Sequence, residues 1–439
     1  MRKTIVMGTI LVLVQIPLLA YVLLQERTWG GTDRDGARGV AVRALDGSVY
    51  VTGSTRSFDP AGEDAFLLKY DAGGSLLWQR TYGEATDATT VRAESGVGVV
   101  VPPDDSGVLV AGNYNGGRIF LAKFDHHGGL IWDLTWGGDQ ESAAGISLAS
   151  DGTIYVIGVT RSFDVGQGDA FLLSFGPDGT LNWQRTWGGP FFDVPRGVAV
   201  ATDGGIYISG DTTFSANSAF LVKFGADGSV IVQREWAVVG KSPFPDDDET
   251  LGGGVAAAPD GGVYVAAWTF GAGFNPNLIA AQFDAAGNAV WHRVGGPGFG
   301  AALAIAVGPD GNVHVTGNIL SEDELTGGNA FVWTLLGNGK PDSAAIWGGN
   351  EEFEGEGGEG IVVTASGDII VVGAAGAPPY TLSRGSKNGK SVDAVVAEIA
   401  GTVTEPAGVV GVTAAAVNAP AGSETFAGVS DAFLIRLQQ

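Results

Sequence analysis

Carboxylates dominate the residues in this chain that could do chemistry. Asp246, Asp247, Asp248 and Glu249 form one run, Glu322, Asp323 and Glu324 a second, and Glu351, Glu352, Glu354, Glu356 and Glu359 a third. Oxygen-rich loops of this kind suit a hard cation such as calcium, or a basic partner surface. They also suit plain solvated loops that repel one another. None has the spacing of an EF-hand loop, so calcium stays an open reading and no other cofactor is implied. Paired carboxylates can also hydrolyse glycosidic bonds, although an acidic face supplies such pairs by chance.

The other reactive side chains are sparse. Cysteine is absent, which removes disulfides, thiolate nucleophiles and Cys-based metal sites. The four histidines are His126, His127, His292 and His314. The first two share a tight turn and the others fall on separate expected strands, so no metal cluster or Ser-His-Asp arrangement is legible. The net charge of −24 argues against a nucleic-acid partner, because phosphate binding needs a basic face.

The elements that carry these residues repeat. Glu26-Arg27-Thr28-Trp29-Gly30 returns as Gln79-Arg80-Thr81-Tyr82-Gly83, Asp133-Leu134-Thr135-Trp136-Gly137 and Gln184-Arg185-Thr186-Trp187-Gly188. Weaker copies end at Trp236, Val294 and Trp347, and the steps between copies are 49–58 residues. Within one period four strand patterns follow in order, shown by Gly145–Ser150, Ile154–Thr160, Asp169–Phe175 and Leu181–Trp187. Asp-Gly pairs punctuate them, as at Asp151-Gly152 and Asp178-Gly179. Such pairs suit type I′ hairpins, whose two central residues need positive φ. A lone four-stranded meander cannot bury both faces, but radial stacking can.

The expected fold is therefore all-β: a seven-bladed β-propeller of four-stranded antiparallel blades, with eight blades as the alternative. The chain starts with a fourth strand (Leu24–Trp29) and ends with a third (Asp431–Leu437). Pairing the two would close the ring in a last blade built from Glu359–Thr364, Asp368–Ala374, Ser430–Leu437 and Leu24–Trp29. That blade carries an insertion at 376–429, which becomes part of an eighth blade in the alternative count. Residues 1–23, with Arg2 and Lys3 before an apolar run from Ile5 to Leu24, read as a signal peptide or an uncleaved signal-anchor.

The blocks Asp151–Thr160, Asp169–Phe175 and Trp183–Gly189 resemble the SBBP repeat family, β-propeller-related repeats of exported bacterial and archaeal proteins. The resemblance covers nearly all of the chain from Leu24 onward. It implies a propeller in a cell-surface or secreted protein and no reaction; the propeller is expected to be monomeric.

In a meander, alternate connections share an edge. The Asp-Gly turns lie on one face, and the long, variable connections lie on the other with all three acidic runs. Function on a regular scaffold sits on such loops. The expectation is a non-catalytic binding or scaffolding module, joined to the membrane only through its first segment. Its partner would be a protein or glycan of the cell envelope. The alternative is an extracellular carboxylate-dependent hydrolase or lyase acting on polysaccharide. The repeated Trp residues, and Phe58 and Phe163 in the recurring Arg-Ser-Phe-Asp string, read as plugs between blades.

Overall fold

A computed structural model describes residues 21–438 apart from 59–61, 84–92, 139, 164–166, 213–217, 238–248, 271–276, 321–327, 349–356, 376–380 and 385–430. Its strands form seven antiparallel meanders arranged in a ring. Blade 1 runs Asp35–Val42, Val49–Thr55, Asp64–Tyr70 and Leu76–Tyr82. Blade 2 starts with Ser95–Val100, blade 3 with Glu141–Leu148, blade 4 with Asp193–Val200 and blade 5 with Glu249–Ala257. One long strand, Ala289–Val307, serves as the outer strand of blade 5 and the inner strand of blade 6.

Blade 7 closes the ring. Gly357–Val363 pairs with Ile369–Ala375, which pairs with Asp431–Gln438, which pairs with Val22–Trp29. This is the composite blade that the two chain ends imply, and seven blades complete the ring without an eighth. The outer strand begins at Val22, two residues earlier than Leu24, and Tyr21 before it is buried. Its hydroxyl bonds Thr334 of blade 6, which also bonds Nδ1 of the buried His314 at 2.7 Å. The apolar segment of residues 1–20 lies outside the described residues. So does the 376–429 insertion, except Thr381–Arg384, which adds a fifth strand to the outer edge of blade 6.

Hydrophobic burial is organised between blades. Each pair of neighbouring blades encloses one apolar cluster, such as Phe171, Leu173 and Phe175 with Leu109, Ala111 and Leu121 between blades 2 and 3. Second and third strands bury both faces and read as continuous apolar runs, as in the wholly buried Asp169–Phe175.

The recurring aromatic motif is the fastener between blades. Trp Nε1 at its end donates to the Gln of the next blade: Trp29 to Gln79 Oε1 at 2.6 Å and Trp136 to Gln184 Oε1 at 3.1 Å. Trp347 and Glu26 occupy the same two motif positions across the closing blade. The Arg of the motif donates to turn carbonyls one blade on, Arg27 to Gly74, Arg80 to Gly128 and Arg185 to Gly228. Phe58 and Phe163 pack at a tilt on Trp29 and Trp136 of the preceding blade with ring centres 5.1 and 5.6 Å apart; Phe58 is half-buried, but Phe163 is 51% exposed and covers its Trp from the surface rather than plugging the seam. Trp268 and Trp333, which sit off the repeat, are buried core.

The Asp-Gly turns differ from the type I′ expectation. Only the glycine has positive φ, +86° at Gly152 and +79° at Gly204, while Asp151 and Asp203 do not. Gly152 N donates to Ala149 O and Ala149 N to Thr153 O, which defines a type I turn followed by a left-handed glycine bulge. The aspartate serves as an acceptor: Asp151 Oδ1 takes the Thr153 amide at 2.9 Å.

Candidate functional site

Most members of the acidic runs fall outside the described residues. Asp246, Asp247, Asp248, Glu322, Asp323, Glu324, Glu351, Glu352, Glu354 and Glu356 are all in this position. Glu249 has its backbone in the inner strand of blade 5. Glu359 is fully described. It sits not in a loop but in the inner strand of blade 7.

That strand has a feature shared by all seven inner strands. Each carries a β-bulge at the same position, and the inserted residues are Arg38, Val97, Ala144, Arg196, Gly253 with Gly254, Leu303 and Glu359. The bulge bends the strand at the axis of the ring, where a barrel-like rim must turn sharply. The backbones there nearly touch. A Cβ on Gly197 would lie 2.6 Å from Val255 N, one on Gly39 would lie 2.8 Å from Gly98 Cα, and one on Gly360 would lie 2.6 Å from Arg38 O. Glycine follows most of the inserted residues for this reason.

The inserted positions therefore border the central channel, and three of them are charged. Arg38, Arg196 and Glu359 are all exposed, flanked by buried neighbours along the strand. Blades 7 and 1 are adjacent, so Arg38 and Glu359 are near neighbours. Blade 4 stands across the ring, three blades from each. Even so, the charges of both Arg38 and Arg196 act on Glu359. The carboxyl of Glu359 is nevertheless pushed above the ordinary glutamate range, because desolvation outweighs the two guanidiniums. Arg196 Nε is held at 2.9 Å by Asp211 Oδ1, from the second strand of blade 4. Burial raises the Asp211 carboxyl as well, against the pull of Arg196.

Other carboxylates on the long-loop face are fasteners. Asp35 Oδ2 accepts the Gly31 amide at 2.8 Å and the Ser57 hydroxyl at 2.6 Å. Glu141 Oε2 accepts Gly138 N at 2.6 Å, and Asp193 Oδ2 accepts Gly189 N at 2.7 Å. In each case the first acid of an inner strand caps the glycine turn that enters its blade. His126 has a similar duty at the other end, bonding the Tyr50 hydroxyl and the Asp105 carbonyl. No group of three His, Cys, Asp or Glu side chains placed to hold a metal exists among the described residues.

Arg38, Arg196 and Asp211 were not legible as site residues in the sequence. A signal was present: Ala37-Arg38-Gly39-Val40-Ala41-Val42 and Pro195-Arg196-Gly197-Val198-Ala199-Val200 are near copies, and Glu359-Gly360 stands at the same repeat position. The residue before that glycine varies in charge while its surroundings stay constant.

Fold and channel together define a seven-bladed propeller with a mixed-charge axial site. No family model matches the chain. A stretch is 33% identical to the regulatory protein FlaEY of Caulobacter vibrioides, over 32% of this chain and 18% of that protein, so the chain spans under a fifth of its relative. Among solved structures, a protein from Lactobacillus plantarum superposes with a TM-score of 0.47 and 17% identity, over 70% of this chain and 83% of that one. The periplasmic gluconolactonase of Pseudomonas aeruginosa gives 0.45 and 14%, over 70% and 84%. A gluconolactonase of Xanthomonas campestris gives 0.38 and 16%, over 67% and 85%. The fold itself rests on the strand pairing described above.

Proposed function

We propose that the chain is an exported, non-catalytic binding module of the cell surface, monomeric, that presents a ligand site at the long-loop mouth of its channel. One observation carries the reading. The repeated Trp, Gln and Arg of the aromatic motif fasten neighbouring blades, whereas Arg38, Arg196 and Glu359 break the repeat at the bulges of the inner strands. Blade-to-blade diversity on a constant frame is how a repeat scaffold acquires a specific site. The expected partner is a protein or glycan of the envelope, and the acidic runs, with or without calcium, would form the rim around the mouth. The resemblance to SBBP repeats and the apolar first segment support export.

The test is affinity capture from the protein's own cell envelope. Neutralising Asp246–Glu249 and Glu351–Glu354 should weaken capture, and unchanged capture would remove the rim from the site. Glu359 supports a second reading, a carboxylate-dependent hydrolase or lyase, because its raised affinity for a proton suits a general acid. Release of reducing ends from envelope polysaccharide, lost in Glu359→Gln, would select that reading.

A further inference from the structure

We infer that the seam between blades 2 and 3 carries, on the Asp-Gly turn face, a socket for the hydroxymethyl group of a neutral sugar, held between Lys123 and the turn carbonyls of blade 3. The socket goes beyond the binding reading above, since it lies on the face opposite the long-loop mouth.

A break in the repeat creates it. The second residue of the second strand is tyrosine in blades 1, 3, 4 and 5, as Tyr50, Tyr155, Tyr207 and Tyr264. In blade 2 it is Leu109. Three of the tyrosines reach across the seam to turns of the next blade. Tyr50 Oη bonds His126 Nδ1 at 2.7 Å, Tyr207 Oη donates to the Gly261 and Ala285 carbonyls at 3.3 Å, and Tyr264 Oη donates to Gly337 O at 3.5 Å. Leucine is shorter and has no hydroxyl, and a cavity of about 80 Å³ stands in its seam. Its floor includes the buried Leu109 and Lys123, and its rim includes Asp104, Asp151, Gly152 and Pro177. Gly152 and Pro177 are the blade 3 counterparts of Gly261 and Ala285, so the cavity lies where a tyrosine hydroxyl would end.

The hydrogen bonding there is incomplete. At five other seams the turn carbonyl equivalent to Pro177 O is served by the blade before it. His126 O accepts from Lys69 and Trp78, Ala226 O from Trp183, and Ala285 O from Tyr207 and Lys223. Gly337 O accepts from Tyr264 and Trp291, and Ala72 O from Arg436. Among the described residues no donor reaches Pro177 O, and Lys123 Nζ, with three N–H groups, makes one bond, to Ser106 Oγ at 2.8 Å. A single hydroxyl supplies both missing partners, because it accepts from an ammonium and donates to a carbonyl.

Size and charge narrow the ligand. The 80 Å³ exceeds the ~30 Å³ share of one water and falls short of the ~150 Å³ that takes benzene, so it fits a few non-hydrogen atoms and not an aromatic ring. A carboxylate would meet Asp104 and Asp151, and a cation would meet Lys123. An uncharged hydroxymethyl group meets neither objection. The exposed carboxylates at the rim are acceptors for the next hydroxyls of a sugar ring.

The experiment is saturation-transfer NMR on the full-length protein with methyl glucoside. Methyl xyloside, which lacks the hydroxymethyl group, and glucuronate, which carries a carboxylate in its place, serve as comparisons. Saturation should pass to the glucoside, most strongly to its C6 protons, and not to the other two. Leu109→Tyr restores the residue of blades 1, 3, 4 and 5; it should abolish the transfer and raise the thermal midpoint, a gain that misfolding cannot mimic. Lys123→Gln installs the residue that blade 5 has there, Gln282, and should weaken the transfer, which keeps the test decisive if the tyrosine variant does not fold. No transfer to the glucoside, equal transfer to xyloside or glucuronate, or unchanged transfer in either folded variant would each overturn the inference. Transfer that survives Leu109→Tyr but is lost on neutralising Asp246–Glu249 would overturn the socket and put the sugar at the long-loop mouth instead.

Discussion

Phe433 tests whether the two ends of the chain close the ring. It lies in the third strand of blade 7, is 1% exposed, and stacks on Trp347 of blade 6 with ring centres 4.3 Å apart. Phe171 is its counterpart in blade 3, equally buried, against Trp136 at 5.0 Å. The two side chains do the same job at two places that differ only in how the blade was assembled. Truncation to alanine removes a fully buried aromatic and leaves a cavity, which costs about 3–5 kcal/mol. If closure is as strong as any internal interface, Phe433→Ala and Phe171→Ala should lose stability by similar amounts. Losses of that size approach half of a typical folding free energy of ~5–15 kcal/mol. Urea unfolding followed by tryptophan fluorescence and by far-UV circular dichroism would measure both variants, with the midpoint shift read at constant slope. The closing blade has an added vulnerability, because its outer strand holds Phe433 through pairing alone: Thr28 opposes Phe433 and Trp29 opposes Ala432. Phe433→Ala should therefore also speed unfolding. A wild-type midpoint for Phe433→Ala beside a destabilised Phe171→Ala would refute closure by the chain termini.

Two further outcomes follow from burial and close approach. His314 is buried and its affinity for a proton is lowered, chiefly by desolvation, to a pKa of about 4. The unfolded histidine binds a proton near 6.5, so between pH 6.5 and 4 the unfolded state is favoured progressively, by up to about 3 kcal/mol. His314→Gln should flatten this part of the pH–stability curve, and a slope that persists in the variant would assign it to other groups. Gly197→Ala should cost about 1–3 kcal/mol, since its Cβ would meet backbone atoms of blade 5 at 2.6 and 2.8 Å that cannot yield. Gly189→Ala, with nothing within 4 Å, should leave the thermal midpoint unchanged and serves as the control.

Much of this architecture can be read directly from the chain. Identical strings at a near-constant step report identical environments. The Gln-Arg-Thr-Trp-Gly motif, the Asp-Ala-Phe-Leu strands and the Asp-Gly turns therefore announce the blade, its order of strands and the composite last blade. The contact of Phe58 and Phe163 with the motif Trp of the preceding blade also follows from their recurrence. The turn type was less legible, because Asp-Gly serves a type I turn with a glycine bulge as well as a type I′ turn, and only the backbone angles separate them.

The site was largely illegible for a related reason. The acidic runs stand out in sequence because they are contiguous, and contiguity says only that they share a connection. Arg38, Arg196 and Glu359 are separated by more than 150 residues at each step and look like ordinary strand residues. What unites them is the bulge at the same position of three inner strands, in a ring of seven blades. Sequence by itself determined the blade, since a repeat is a local property that each copy states afresh. Only the tertiary structure decided which charged residues stand at the bulges, because a bulge is a property of strand pairing that no single strand states.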